Sequence, residues 1–170
     1  GAVAQAHVHY AKQLRPWQSI RLYSPSLSGK TGAQLLQLQQ LDSRIQLCAS
    51  QADAIRDADV LMLCTSSAKP LLDPAELDKP ALITSISTNA PRAHEVTPAS
   101  LLNMDVYCDY RSTTPNSAGE MCLASELGWS NTNILGDLAE LVSGKAVHPD
   151  YRRSVFFRSI GLGLEDVALA

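Results

Sequence analysis

The sequence predicts an α/β fold: a doubly wound parallel sheet with helices on both faces. Three observations predict it. Short apolar runs without polar alternation recur, Val60-Leu61-Met62-Leu63-Cys64 and Ala81-Leu82-Ile83-Thr84-Ser85-Ile86 among them, as strands buried on both faces require. These runs end in polar residues, and segments with helical signals lie between them, the alternation of βαβ units. The hydrophobic content is 45 % with only 5 % aromatic, so aliphatic side chains must build the core, which suits helices packed on a parallel sheet.

In chain order, Val3 to Leu14 reads as an amphipathic helix, Pro16-Trp17 as a turn and Ser19 to Ser24 as a short strand. Pro25 to Gly32 is a loop of serine, glycine and lysine. Ala33 to Leu41 places Leu35, Leu38 and Leu41 at helical spacing, and Ile45 to Ala49 alternates like a strand. Ser50 caps a short helix, Gln51 to Arg56. After the two buried strands comes a third, Val106-Tyr107-Cys108-Asp109, with helical signals at Pro74–Leu77 and Pro98–Leu102. Ile134 to Ser143 reads as an amphipathic helix stopped by Gly144, and Ser154 to Ala170 as an apolar run followed by a glycine-rich helix.

The bulk properties exclude several classes. A chain of 170 residues forms one domain with a full core. A net charge of −3 provides no basic footprint for nucleic acid or an anionic membrane, and no apolar run is long enough to span a bilayer. Cys48, Cys64, Cys108 and Cys122 are widely spaced without a C-x-x-C pair, as expected of reduced thiols in a cytoplasmic protein. The histidines lack metal-site spacing with a carboxylate or thiolate, so no metal is expected. His94 is the one histidine placed to approach a substrate.

In such a sheet the ligand lies beyond the carboxyl ends of the strands, which gathers the Gly1 turn, Ser24–Lys30, Thr65–Ser67, Ser85–Asn89 and Asp109–Arg111 along one edge. Gly1-Ala2-Val3-Ala4 opens a helix with no strand before it. It matches half of the dinucleotide fingerprint G-x-G-x-x-G/A, whose glycines bring backbone amides against a pyrophosphate. With Gly1 as the second glycine, Ala4 takes the third position; with Gly1 as the first, Val3 blocks the second. At the end of the second strand an acid would accept from the ribose 2′-hydroxyl of NAD. This chain has Ser24, Ser26, Ser28 and Lys30 instead and no acid before Asp42, which suits the 2′-phosphate of NADP, with NAD possible. Arg21 is a further cation near that end.

Five stretches in the same order resemble the ornithine cyclodeaminase/μ-crystallin family. They are the small-residue helix start at Ala4-Gln5-Ala6; Asp57-Ala58-Asp59-Val60 leading to Cys64-Thr65-Ser66-Ser67-Ala68-Lys69-Pro70; and Ile86-Ser87-Thr88-Asn89-Ala90-Pro91-Arg92-Ala93-His94-Glu95-Val96. The last two are Leu135-Gly136-Asp137-Leu138-Ala139-Glu140-Leu141-Val142-Ser143-Gly144-Lys145 and Phe157-Arg158-Ser159-Ile160-Gly161-Leu162-Gly163-Leu164-Glu165-Asp166. The resemblance implies that residues 1–170 are a Rossmann-type NAD(P)-binding domain, with Gly1 as second glycine. The first strand and a separate substrate and dimerisation domain would lie outside this chain, and the full-length protein would be a homodimer. It further implies that Cys64, Thr65, Ser66 and Ser67 line the ribose and pyrophosphate side. Ser85 and Ser87 would approach the nicotinamide ribose, and Ser159 and Gly161 the ring.

The implied substrate is a small imino or amino acid. The family's cyclodeaminases carry an aspartate where this chain has Asn89, and an amide cannot exchange a proton at neutral pH. Asn89 can orient an imine nitrogen or a water at the catalytic centre, which favours net hydride transfer at a C–N bond, as in a ketimine reductase or an amino acid dehydrogenase. Ornithine cyclodeamination with bound NAD, and non-catalytic NADP(H) binding as in crystallin-like members, are the alternatives.

Overall fold

A computed structural model describes residues 1–86, 92–162 and 167. The chain divides into two compact units, Gly1–Ala58 and Asp59–Ala170.

The first unit holds α1 (Ala2–Ala11), β1 (Ile20–Leu22), α2 (Gly32–Gln39), β2 (Ile45–Leu47) and α3 (Gln51–Ile55). β1 and β2 pair in parallel, Ile20 opposite Ile45 and Leu22 opposite Leu47. Local chemistry explains the helix starts. Thr31 and Gln34 form a reciprocal capping box at α2, and Ser50 accepts the Asp53 amide at 3.0 Å at α3. Val8 and Ile45 are the buried apolar residues of this unit, so polar clamps supplement a small core. Arg44 pairs with Asp42 at 2.8 Å and donates to the Lys12 carbonyl at 3.1 Å, tying β2 to the end of α1. That guanidinium holds the Asp42 carboxyl well below the usual carboxylate range. Arg21 donates to the Asp53 carbonyl at 3.1 Å and to the Arg56 carbonyl, closing the last turn of α3. Its charge is therefore committed to that helix end, not held out toward a phosphate.

The second unit is built on a five-stranded parallel sheet of order β3-β4-β7-β5-β6. The strands are β3 (Val60–Leu63), β4 (Leu82–Ser85), β5 (Asp105–Cys108), β6 (Ile134–Asp137) and β7 (Val155–Arg158). The chain returns from the far edge to place β7 between β4 and β5, with Ser85 and Cys108 both opposite Arg158. Ile83, Val106 and Phe156 are fully buried at the sheet centre. Among the described residues this unit carries α4 (Thr114–Ser117), α5 (Gly119–Ser125) and α6 (Leu138–Val142).

One expectation is corrected here. Ile134–Asp137 is a strand, not the first turn of a helix, because pairing with β5 buries Ile134 and Gly136. A Cβ on Gly136 would stand 2.4 Å from the Ala146 Cβ, so tertiary packing selects glycine there. The helix begins only at Leu138, where Asp137 and Glu140 form a capping box that fixes its start. The helical signals at Pro74–Leu77 and Pro98–Leu102 fall on the 3-10 turns Pro74–Glu76 and Pro98–Asn103. The apolar run expected after Ser154 is the central strand β7, and the glycine-rich helix expected beyond it falls largely outside the described residues.

Candidate functional site

In the first unit, α1 starts at Ala2 with Gly1 as N-cap and with no capping side chain and no acid in its first turn. The first amides of a helix have no acceptor within it, so this ten-residue helix begins with open donors at Ala2, Val3 and Ala4. Gly1, Ala2 and Val3 are exposed and Ala4 half-buried. At the end of β1, Ser24 caps the 3-10 turn Pro25–Gly29 and shares a 2.9 Å hydrogen bond with the Ser26 hydroxyl. The Ser28 hydroxyl donates to the Pro25 carbonyl at 3.1 Å. These serines shape the loop. Lys30, half-buried at its end, pairs with no carboxylate among the described residues.

In the second unit, the carboxyl ends of β3, β4, β5 and β7 are joined by a polar network beneath the sheet edge. Glu95, 1 % exposed, accepts from the Thr65 amide at 2.9 Å, the Thr65 hydroxyl at 2.7 Å and the Ser85 hydroxyl at 2.7 Å. Ser85 in turn accepts from Arg158 Nη1 at 3.1 Å. Arg158 Nε stands 2.6 Å from Glu120 Oε1, and both side chains are completely buried. Burial raises the Glu120 carboxyl above its ordinary range, and the Arg158 charge opposes that rise. Asp109, following β5, gathers donors from the turn after β7, described further below.

The expected contact residues sort accordingly. Thr65 and Ser85 spend their hydroxyl protons on Glu95, which places the Ser85 hydroxyl under the edge and not on it. Ser67 closes its own turn, accepting the Lys69 amide at 3.2 Å and donating to the Lys69 carbonyl at 2.8 Å. The Ser66 hydroxyl is exposed and has no partner among the described residues. Burial pushes the Cys64 thiol up to about 11, with the Glu95 charge adding to it, so the thiol stays neutral. Ser87 and Asn89 lie outside the described residues. The His94 ring is bonded within its own segment, Nδ1 standing 2.7 Å from the Arg92 carbonyl oxygen. Among the described residues no cluster of ligand-type side chains could hold a metal.

Sequence reasoning passed over Glu120 and the buried roles of Glu95, Asp109 and Arg158. A signal was present: an arginine ending the apolar run Val155-Phe156-Phe157, and an aspartate closing Val106-Tyr107-Cys108, are charges where a buried strand demands partners.

The parallel sheets, their crossovers and the hydroxyl-rich carboxyl edge define a Rossmann-type α/β protein. A sequence model of the ornithine cyclodeaminase/mu-crystallin family matches residues 1–170. The chain belongs to that family. It is 58 % identical to an NAD(P)H-dependent anabolic L-arginine dehydrogenase of Pseudomonas aeruginosa, over all of this chain and 53 % of that protein. It is 27 % identical to the ketimine reductase mu-crystallin of Macropus fuliginosus, again over its whole length and 51 % of that protein. The chain thus spans about half the length of the curated relatives it matches. Among solved structures, the Δ1-pyrroline-2-carboxylate reductase of Thermococcus litoralis, in complex with NADH and L-proline, superposes with a TM-score of 0.86 at 20 % identity. That match covers 98 % of this chain and 52 % of the archaeal one, and it supports the fold.

Proposed function

We propose that this chain is the dinucleotide-binding part of an NAD(P)H-dependent oxidoreductase acting on the C–N bond of an amino or imino acid. The observation that carries the reading is the 58 % identity, along the entire chain, to a dehydrogenase of that class. The residues present fit such a cofactor. An uncapped helix start supplies donors for a pyrophosphate, and the Ser24–Lys30 loop presents hydroxyls with one uncommitted cation, which favours NADP(H) over NAD(H). When bound, the nicotinamide supplies or takes up the hydride, while the protein binds, orients and excludes water. The carbon of the imine gains the hydride and its nitrogen a proton; amino acid oxidation runs the reverse.

Asn89 orients the imine or amine nitrogen in this reading and does not exchange its proton, which sets the activity apart from cyclodeamination. The relative's named substrate makes the imine of a guanidino 2-oxo acid the first to test. A substrate-binding and dimerising domain comes from the rest of the protein. Along with it comes a further strand; among the described residues the outer edge of β3 has no strand beside it. Among the described residues no helix is long and apolar enough to cross a membrane. A homodimer in the cytoplasm completes the reading.

Two measurements test it. The intact protein is expected to oxidise NADPH when given the 2-oxo acid of a basic amino acid with ammonia, or a cyclic imino acid, and to bind NADPH tighter than NADH. Ammonia release from ornithine without net NADPH consumption would instead establish the cyclodeaminase alternative; NADPH binding without any turnover would establish the crystallin-like one. Lys30→Glu is expected to weaken NADPH by about tenfold or more, since it replaces a charge-assisted contact by a repulsion, and NADH by less than about threefold. Equal losses in a fluorescence titration would remove Lys30 from the 2′-phosphate.

A further inference from the structure

Asp109 has no role in the function proposed above, yet it is among the most heavily engaged side chains of the second unit. It is 2 % exposed and stands at the carboxyl end of β5. Its Oδ2 accepts from the Ser159 hydroxyl at 3.0 Å, the Ile160 amide at 2.7 Å and the Gly161 amide at 2.9 Å. Its Oδ1 accepts from the Tyr110 amide at 2.8 Å and from the hydroxyl of the fully buried Thr114. Five donors thus converge on one buried carboxylate, three of them from the single turn that follows β7. The Ser159 hydroxyl also accepts the Gly161 amide at 3.2 Å, and Gly161 adopts φ +80°, a conformation that favours glycine.

The position of that turn matters. β7 is the middle strand of the five, and Ser159 continues its pairing by donating its amide to the Ser85 carbonyl at 3.0 Å. A Rossmann-type fold binds one mononucleotide in each half, beyond the carboxyl ends of its strands. In the reading proposed above, the β3-β4-β7 edge of the second unit takes the nicotinamide. Because the amides of Ile160 and Gly161 are spent on Asp109, the turn has acceptors left for a ligand: the Ile160 and Gly161 carbonyls, without partners among the described residues. A carboxamide NH2 is a donor and matches them.

We infer that Asp109 is a positioning residue for hydride transfer: it holds the Ser159–Gly161 turn so that its carbonyls meet the nicotinamide carboxamide and fix the ring. This rests on the dinucleotide-binding reading above. Asp109→Asn keeps the volume but places an NH2 group or a single acceptor where three donors converge, so the turn must shift. A misplacement of about 1 Å at a reacting ring costs about a hundredfold in rate, and loss of one good hydrogen bond about tenfold in affinity.

The experiment uses the intact protein and two probes: NADPH, and 2′,5′-ADP, which lacks the nicotinamide. D109N is expected to lose about tenfold in NADPH affinity and about ten- to a hundredfold in kcat, with 2′,5′-ADP affinity within about twofold of wild type. Thr114→Val, which removes one donor from Oδ1 well below the ligand edge, is expected to move the same ratio in the same direction by a smaller factor, and decides the matter if D109N does not fold. Equal losses for both probes, or unchanged NADPH affinity and kcat in the variant that folds, would overturn the assignment. A wild-type protein that binds neither probe would overturn the dinucleotide reading itself, a separate outcome.

Discussion

Replacing Arg158 by methionine is expected to destabilise the intact protein by about 3–5 kcal/mol, the range found when one partner of a buried ion pair is removed. Arg158 and Glu120 are both completely buried at 2.6 Å, so no water replaces the lost charge. The variant strands Glu120 and removes a donor from Ser85, which also serves Glu95. Arg158→Met combined with Glu120→Leu removes both charges and is expected to recover most of the loss, a comparison a double-mutant cycle reads directly. The pH dependence supplies a second signature. The Glu120 carboxyl is raised in the folded protein, by burial and against the Arg158 charge. A raised carboxyl contributes stability below its unfolded pKa of about 4.3 and loses that contribution as pH rises through its folded value. Without Arg158 the folded value climbs further. The deficit of Arg158→Met is therefore largest near neutrality and shrinks toward pH 4, where a protonated Glu120 needs no counter-charge. A deficit independent of pH in urea unfolding would show that lost packing, not charge, is responsible. Glu126 and Glu140, lowered by Arg92 and Arg111, lose stability as pH falls, but equally in both proteins, so they cancel in the difference.

Gly119→Ala is expected to cost about 3 kcal/mol, at the upper end of what overpacking exacts. The cause is a backbone contact that cannot give way: a Cβ at Gly119 would lie 2.2 Å from the Ala93 carbonyl oxygen and 2.5 Å from the Arg92 carbonyl carbon. The first turn of α5 rests against residues 92–93, a segment also anchored by the Arg92–Glu126 pair at 2.8 Å and by Glu95 in the network. Forcing α5 away disturbs Glu95 and with it the Thr65 loop, so dinucleotide affinity is expected to fall along with stability. Gly29→Ala is the matched control. Nothing stands within 4 Å of its Cβ and its φ is not positive, so a change within about 0.5 kcal/mol is expected by tryptophan fluorescence during unfolding.

Much of this architecture was legible in local pattern. Val60–Leu63 and Leu82–Ser85 are apolar throughout or nearly so and do form strands, but burial on both faces was expected and β3, at the sheet edge, leaves Met62 exposed. The Ser50 cap was legible because its chemistry is contained within four residues. Ile134–Asp137 was not, since four residues ahead of a helical pattern carry no period of their own, and only β5 beside them makes a strand. In the same way, Val155–Phe157 showed an apolar run but not its place at the middle of the sheet. Strand order is set by which crossovers bury the most surface, an interaction between segments some fifty residues apart in β5 and β7.

The candidate site divides along the same line. Residue types alone determined the α/β class, the hydroxyl and lysine loop at Ser24–Lys30, and the absence of an exchangeable proton at Asn89, because each is a property of a side chain or of its immediate neighbours. Tertiary structure decided which hydroxyls remain for a ligand. Among the described residues the Ser66 hydroxyl has no partner, while the Thr65, Ser85 and Ser159 hydroxyls turn inward to Glu95 and Asp109. The reason is electrostatic: a carboxylate taken out of water must collect donors from wherever the fold brings them, and those donors come from strands distant in the chain.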